Sequence, residues 1–442
     1  MQDETVRLRV GYSKKSLTPA EPVALFGYVP GRIYKRVLDD VYLTCVAISD
    51  SYDNTVLMYS MDAINMDLEI ASSLRMAVSE ITEVPADHVF ITSTHTHSAP
   101  SCGSYGDGLQ QAAVQTAQEA LADRKTAKMF FGVDHTEGIS FVRHYFSKDG
   151  SVVTVNHGKY DDPSLLTGHT HDPDTEMRVL RFQREGGKDV ILANWQCHNL
   201  MTGGSRKFDL SADIVGKMRA FMEQDLDCLF AYFQGGAGNI NPTSYIRSEE
   251  VNTTRDYSVT GRLMADTAMR AMEHMVPLKT GPMTVLTDTY IAAGNKEDLD
   301  KLDIAEQIVQ YYKDGHTTVE ANAYAASLKV GLYSYYHARY LQRRANAPDT
   351  VEMPLGVVVM GDFAWSTMPG ECFDTAVKYI RDHSPYTYNF AAAYTNASPG
   401  YVPTKEAWDH GCYEVDATFL APGTAEVIVE RILHMLNVVR KA

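Results

Sequence analysis

The chain is punctuated by short, almost wholly apolar runs at 41–48, 56–61, 89–93, 190–197, 229–233 and 355–360. Runs of that length bounded by turn residues read as central strands of a sheet. Val6, Leu8 and Val10 alternate in an opening strand, and 128–131, 178–182, 363–366 and 389–394 add further strand-like segments. Helical spacing fills much of the space between them, at 68–81, 108–122 and 209–225, with helices also starting at Phe373 and Thr424. That interleaving predicts an α/β fold, a mixed central sheet flanked by helices. The segment 295–345 is charged and rich in Ala, Tyr, Leu and Lys, and predicts a helical hairpin inserted into the body. With no internal repeat and no low-complexity linker, 1–442 reads as one continuous domain.

A chain of 442 residues with 45% hydrophobic and 22% charged residues is ordinary for a globular protein. Its 40 Lys and Arg against 56 Asp and Glu leave a net charge of −16. That excess argues against nucleic acid and against an anionic membrane surface, both of which call for cationic faces. The first residues show no basic and apolar leader, and no stretch is long and apolar enough for a membrane span. Six scattered cysteines without a Cys-x-x-Cys pair suit reduced, buried thiols and a cytoplasmic protein. A small-molecule substrate is expected, and a homo-oligomer is compatible with the sequence.

The polar residues that end the apolar runs carry the chemistry. Thr94-His95-Thr96-His97-Ser98-Ala99-Pro100 follows the run at 89–93. Its histidines therefore sit past a strand's carboxyl end, where open α/β sheets bind ligands. In extended backbone, side chains two apart point the same way. Two imidazoles facing one pocket serve as a pair of metal ligands, or as one ligand and one proton-transfer base. The run at 190–197 ends in His198, Met368-Pro369-Gly370 leads into Glu371, and Tyr401 follows Gly400. Imidazoles with a carboxylate and one open position are the donor set of a catalytic zinc site, although Mn²⁺ or Fe²⁺ also suits such ligands. Asp62 reads either as a helix cap or as a group orienting a ligand histidine. His169-Thr170-His171 is a rival metal pair, read as a substrate-loop or surface feature because no strand precedes it. There is no Gly-x-Ser-x-Gly elbow and no His-Glu-x-x-His helix.

In this order, these motifs resemble the neutral/alkaline ceramidase family. The His95 segment resembles its Thr-His-Thr-His-Ser-Gly-Pro signature, and Asn194-Trp195-Gln196-Cys197-His198 its strand ending in histidine. Pro369-Gly370-Glu371, Tyr401-Val402-Pro403-Thr404 with Glu406, and Tyr413-Glu414 are similar to later family segments, while Gly27-Tyr28 and Asp62 are weaker echoes. The resemblance implies that His95, His198, Glu371 and Tyr401 hold Zn²⁺, and that His97 moves the proton. It further implies that Tyr413 and Arg143 face the substrate and stabilise negative charge. Where the family has a serine, this sequence has Asn241, which cannot act as a nucleophile. The sequence leaves no room for the family's C-terminal β-sandwich domain, so a small soluble amide is expected rather than membrane ceramide. Two other readings are a metal-dependent lyase or hydrolase acting on a sugar-like molecule, and a non-catalytic binding protein on the same scaffold.

Overall fold

The computed structural model describes residues 6–28, 31–155, 163–242 and 256–441. Its main sheet is built from β1 (Leu8–Ser16), β2 (Tyr42–Ser49), β3 (Thr55–Met61), β4 (Val89–Ser93), β5 (Lys125–His135), β6 (Glu176–Arg184), β7 (Val190–Trp195), β8 (Leu229–Gln234) and β9 (Val276–Leu278). The order is β8-β7-β6-β5-β1-β2-β3-β4, and β9 continues the β1 edge of β5. The inner pairs are antiparallel, whereas β7 with β8 and β3 with β4 run parallel at the two ends. Ser60 of β3 donates to the Tyr232 carbonyl of β8 at 2.6 Å, so the two parallel ends approach each other.

A second sheet consists of β10 (Met283–Ala293), β11 (Thr350–Met360), β12 (Phe363–Thr367) and β13 (Tyr388–Ala392), with β12 parallel to β13. Period-two alternation decides how the sheets stack. Val46, Ile48, Val56 and Met58 of the first sheet share one core with Val358, Met360, Trp365 and Phe390 of the second. The intervening residues face helices. Cys45, Ala47, Leu57 and Tyr59 pack on Ala71 and Leu74 of α1 (Leu68–Thr82) and on Leu109 and Ala113 of α2 (Asp107–Ala122). Ile191, Ala193 and Trp195 pack on α3 (Asp213–Leu226) and α4 (Tyr257–Glu273). On the far side, Val357, Val359 and Ala391 meet Val377 and Ile380 of the helix Asp374–His383 and Ile428 and Ile432 of the helix Thr424–Lys441. The result is four layers, helix–sheet–sheet–helix. Strands buried on both faces are apolar throughout, which is why the sequence showed runs and not alternation.

The α/β architecture with a mixed central sheet matches the sequence reading. The helical segment near 295–345 is present, but as three helices, Leu302–Lys313, Thr318–Ser327 and Tyr335–Ala345. Gly315, at φ +102°, and Gly331, at φ +85°, occupy the two breaks, where left-handed backbone ends a helix. Helix α4 and strand β10 had no counterpart among the sequence expectations. Among the described residues, no helix is long and apolar enough to cross a membrane.

Candidate metal centre

Parallel strands deliver their carboxyl ends to one place. His95 and His97 follow β4, His198 follows β7, and Glu371 lies beyond β12. The histidines do not converge by strand alternation as the sequence reading supposed. His95 is in left-handed backbone at φ +65°, an uncommon state for a side chain branching from a strand end. That kink sets the His95 and His97 Nε2 atoms 3.3 Å apart. The His95 and His198 rings meet edge to face, with centroids 4.6 Å apart.

Backbone carbonyls fix both outer rings. His95 Nδ1 donates to the Ile64 carbonyl at 2.7 Å. His198 Nδ1 donates to the Ala237 carbonyl at 2.7 Å and is 3.1 Å from that of Ile240. Each Nε2 then carries its lone pair toward the centre, the tautomer a metal ligand needs. Glu371 Oε2 lies 3.4 Å from His95 Nε2 and 3.5 Å from His198 Nε2. Both Glu371 Oε2 and His198 Nε2 are buried without a hydrogen-bond partner. Buried polar atoms left unpaired are costly, so their meeting at one point fits a divalent cation. One ring nitrogen from each of His95, His97 and His198 lies within 4.8 Å of the other two.

Burial disfavours charge on Glu371, yet the imidazoles of His95 and His198 outweigh it and hold the carboxyl well below its usual range. Burial, together with the neighbouring rings, keeps His97 well below an ordinary histidine. Burial and then Arg143 lower His198 to about 4. Glu371 is thus held as a carboxylate, with His97 and His198 as neutral imidazoles beside it.

Tyr401 arrives through a short parallel pairing in which Glu371–Cys372 runs beside Tyr401–Val402, Glu371 opposite Tyr401. The preceding Gly370 is at φ +77°, and a Cβ there would come within 2.8 Å of the Gly400 carbonyl oxygen. The Tyr401 hydroxyl is hydrogen-bonded to Arg143. The Arg143 guanidinium carbon stands 5.5 Å from the Tyr401 ring and 5.8 Å from that of Tyr413. Arg143 is buried and held by Glu414 Oε1 at 2.6 Å, the Gly238 carbonyl at 2.6 Å and Asn241 Oδ1 at 3.3 Å. Asn241 therefore serves as a wall and an acceptor. Tyr413 shares a 2.9 Å hydrogen bond with the Tyr340 hydroxyl, so the three-helix segment reaches the site.

Several residues differ from their sequence readings. Asp62 caps no helix and hydrogen-bonds to no histidine among the described residues: Asp67 holds the N-cap position of α1, without a side-chain capping bond, and His95 is oriented by a carbonyl. Asp62 instead takes both Arg219 terminal nitrogens at 2.7 Å and accepts from the Thr94 hydroxyl at 3.2 Å. His169 ends a short strand, Leu166–His169, and donates to the Val142 carbonyl, while His171 pairs with Asp374 at 3.0 Å. Neither joins the centre. Tyr394 escaped notice. Its ring lies 4.4 Å from that of His95, its hydroxyl is buried without a partner, and its φ is +56°. Nothing in the motif pattern marks a tyrosine two residues past the end of a strand.

The fold occurs in solved ceramidases, and the chain has a neutral-ceramidase-like fold. A structure titled "Ceramidase complexed with C2" matches with a TM-score of 0.74 at 15% identity, covering 99% of this chain and 76% of that one. A neutral ceramidase from Pseudomonas aeruginosa matches with a TM-score of 0.72 at 16% identity, covering 99% of this chain and 75% of that one. No family model matches the sequence, and no curated protein does.

Proposed function

We propose that the chain is a zinc-dependent hydrolase that cleaves the C–N bond of a small soluble amide. The observation carrying this reading is the meeting of His198 Nε2 and Glu371 Oε2, both buried and unpartnered, beside His95 Nε2. In this reading His95, His198, Glu371 and Tyr401 hold the ion. Bound zinc supplies Lewis acidity and a water that ionises near neutrality. His97 takes a proton from the attacking water and passes it to the departing nitrogen, leaving a carboxylic acid and an amine. Arg143, locked by Glu414, and Tyr413 present donors to the charge that develops on the carbonyl oxygen. Tyr340 ties the Tyr413 hydroxyl to the three-helix segment. The six cysteines, all buried and free, support a reducing, cytoplasmic setting.

The direct test is release of primary amine from a panel of short N-acyl compounds, run beside ceramide in vesicles and a panel of sugar-like substrates. Turnover confined to the sugar-like panel, or binding without turnover of anything, would overturn the amide reading. Substituting His97→Ala is expected to leave the zinc content equal to that of the unmodified chain and to lower kcat by roughly 10²–10⁴-fold. Loss of zinc in that variant would instead make His97 a ligand.

Gly27 gives a second check on the same residue. It sits at φ +119°, and a Cβ there would approach the His97 ring and Cβ within 2.8–2.9 Å. Gly27→Ala therefore displaces His97. The expected loss is roughly 10²-fold in turnover with unchanged metal content, the usual consequence of misplacing a reacting group by about 1 Å. An unaltered rate would show that the position of His97 does not matter.

A further inference from the structure

Glu414 has a second set of neighbours besides Arg143. His144 Nε2 lies 2.8 Å from its Oε2. Cys412 Sγ completes a group of three ligand atoms, all within 4.8 Å of one another. The three residues are buried, at 5% exposure for His144, 6% for Cys412 and 0% for Glu414. They come from two elements: His144 opens the strand His144–Ser147, while Cys412 occupies the N-cap position of the helix Tyr413–Ala417 that carries Glu414. A cavity of about 30 Å³ opens against His144 and Cys412, with His171, His410 and Glu406 also in its wall. That is room for one water molecule.

We infer that His144, Cys412 and Glu414 form a second binding site for a zinc-class divalent ion, with a fourth position facing this cavity. Thiolate sulfur, imidazole nitrogen and carboxylate oxygen are the borderline-soft donors that such ions select over Mg²⁺ or Ca²⁺. On binding, the Cys412 thiol gives its proton to solvent and no electrons move. His144 presents Nε2 with its ring proton on Nδ1, and Glu414 Oε2 exchanges the His144 N–H for the ion. Glu414 Oε1 keeps its bond to Arg143. The same carboxylate then links the second ion to the pocket that holds Tyr401 and Tyr413.

Cobalt is the discriminating probe, because only a site containing cysteine gives a thiolate-to-cobalt charge-transfer band. The purified chain, titrated with Co²⁺, is expected to bind about two ions and to develop this band with a stoichiometry of about one. The His95→Ala/His198→Ala variant should keep the band. Its presence there separates the second site from the centre proposed above, which has no sulfur ligand. Cys412→Ser should abolish the band while the other ion still binds. His144→Gln, a milder change, should weaken the cobalt affinity read from the band by at least about tenfold. Absence of the band in the unmodified chain, its survival in Cys412→Ser, or an unchanged affinity in His144→Gln would each overturn the inference.

Discussion

A chain carrying alanine at both His95 and His198 is expected to bind no zinc at the main centre and to lose at least about 10³-fold in kcat/KM. That loss corresponds to the several kcal/mol of transition-state stabilisation a catalytic metal provides. Both rings are held by carbonyls on Nδ1 and aim Nε2 at Glu371, so each substitution removes a donor already in place. With both gone, Glu371 and Tyr401 alone are too poor a ligand set for zinc. Elemental analysis of both proteins, beside circular dichroism to confirm folding, decides the matter. An unmodified chain that takes up no metal after zinc reconstitution would sink the centre altogether. Unchanged zinc in the double variant would move the ligands elsewhere.

The largest effect on stability is expected at Asp62. Its carboxylate is fully buried, takes Arg219 through two 2.7 Å bonds, and also accepts from the Tyr42 backbone N–H at 2.9 Å. Asp62→Ala strands a guanidinium at 4% exposure, and breaking one side of a buried pair costs about 3–5 kcal/mol. Urea denaturation should show that loss as a lower midpoint with an unchanged slope. Removing both charges, as Asp62→Ala with Arg219→Met, should recover most of it, because no buried charge then lacks a partner. A single variant within 1 kcal/mol of the parent, by the ~0–1 kcal/mol usual for exposed pairs, would show the pair to be solvated. Because Asp62 also holds the Thr94 hydroxyl, the single variant should disturb the turn that carries His95.

The donors were legible in the sequence because each stands where an apolar run stops. His95, His198 and Glu371 could be picked out from that break in pattern, and the structure brings them to one point. What the sequence concealed was backbone and pairing. His95, Tyr394 and Asn396 all adopt positive φ without being glycine; Asn and His visit that region more readily than most residues, but nothing local in the sequence fixes it at these positions, least of all at Tyr394. The partner of Asp62 lies on α3, far along the chain, so local pattern could not choose among capping, ligand support and an ion pair. The second sheet was equally hidden as a layer. A strand buried on both faces looks the same whichever neighbour covers it, so the stacking of Trp365 and Phe390 on Val46 and Met58 is a property of the assembled molecule. The three-helix segment was visible as helical, and its breaks at Gly315 and Gly331 were there to be read.

The ends of β4, β7 and β12 are far apart in the order of synthesis, although they open onto the same few ångströms. On the proposed ligand set, a nascent chain that has displayed His95 and His198 still lacks Glu371, and has no complete cage to offer. Zinc then favours only the finished arrangement over every partial one, with a bias of RT ln(1 + [Zn]/Kd). Loading becomes a late checkpoint. A cell short of zinc would accumulate molecules correctly built in each layer yet lacking the ion that clamps the strand ends together.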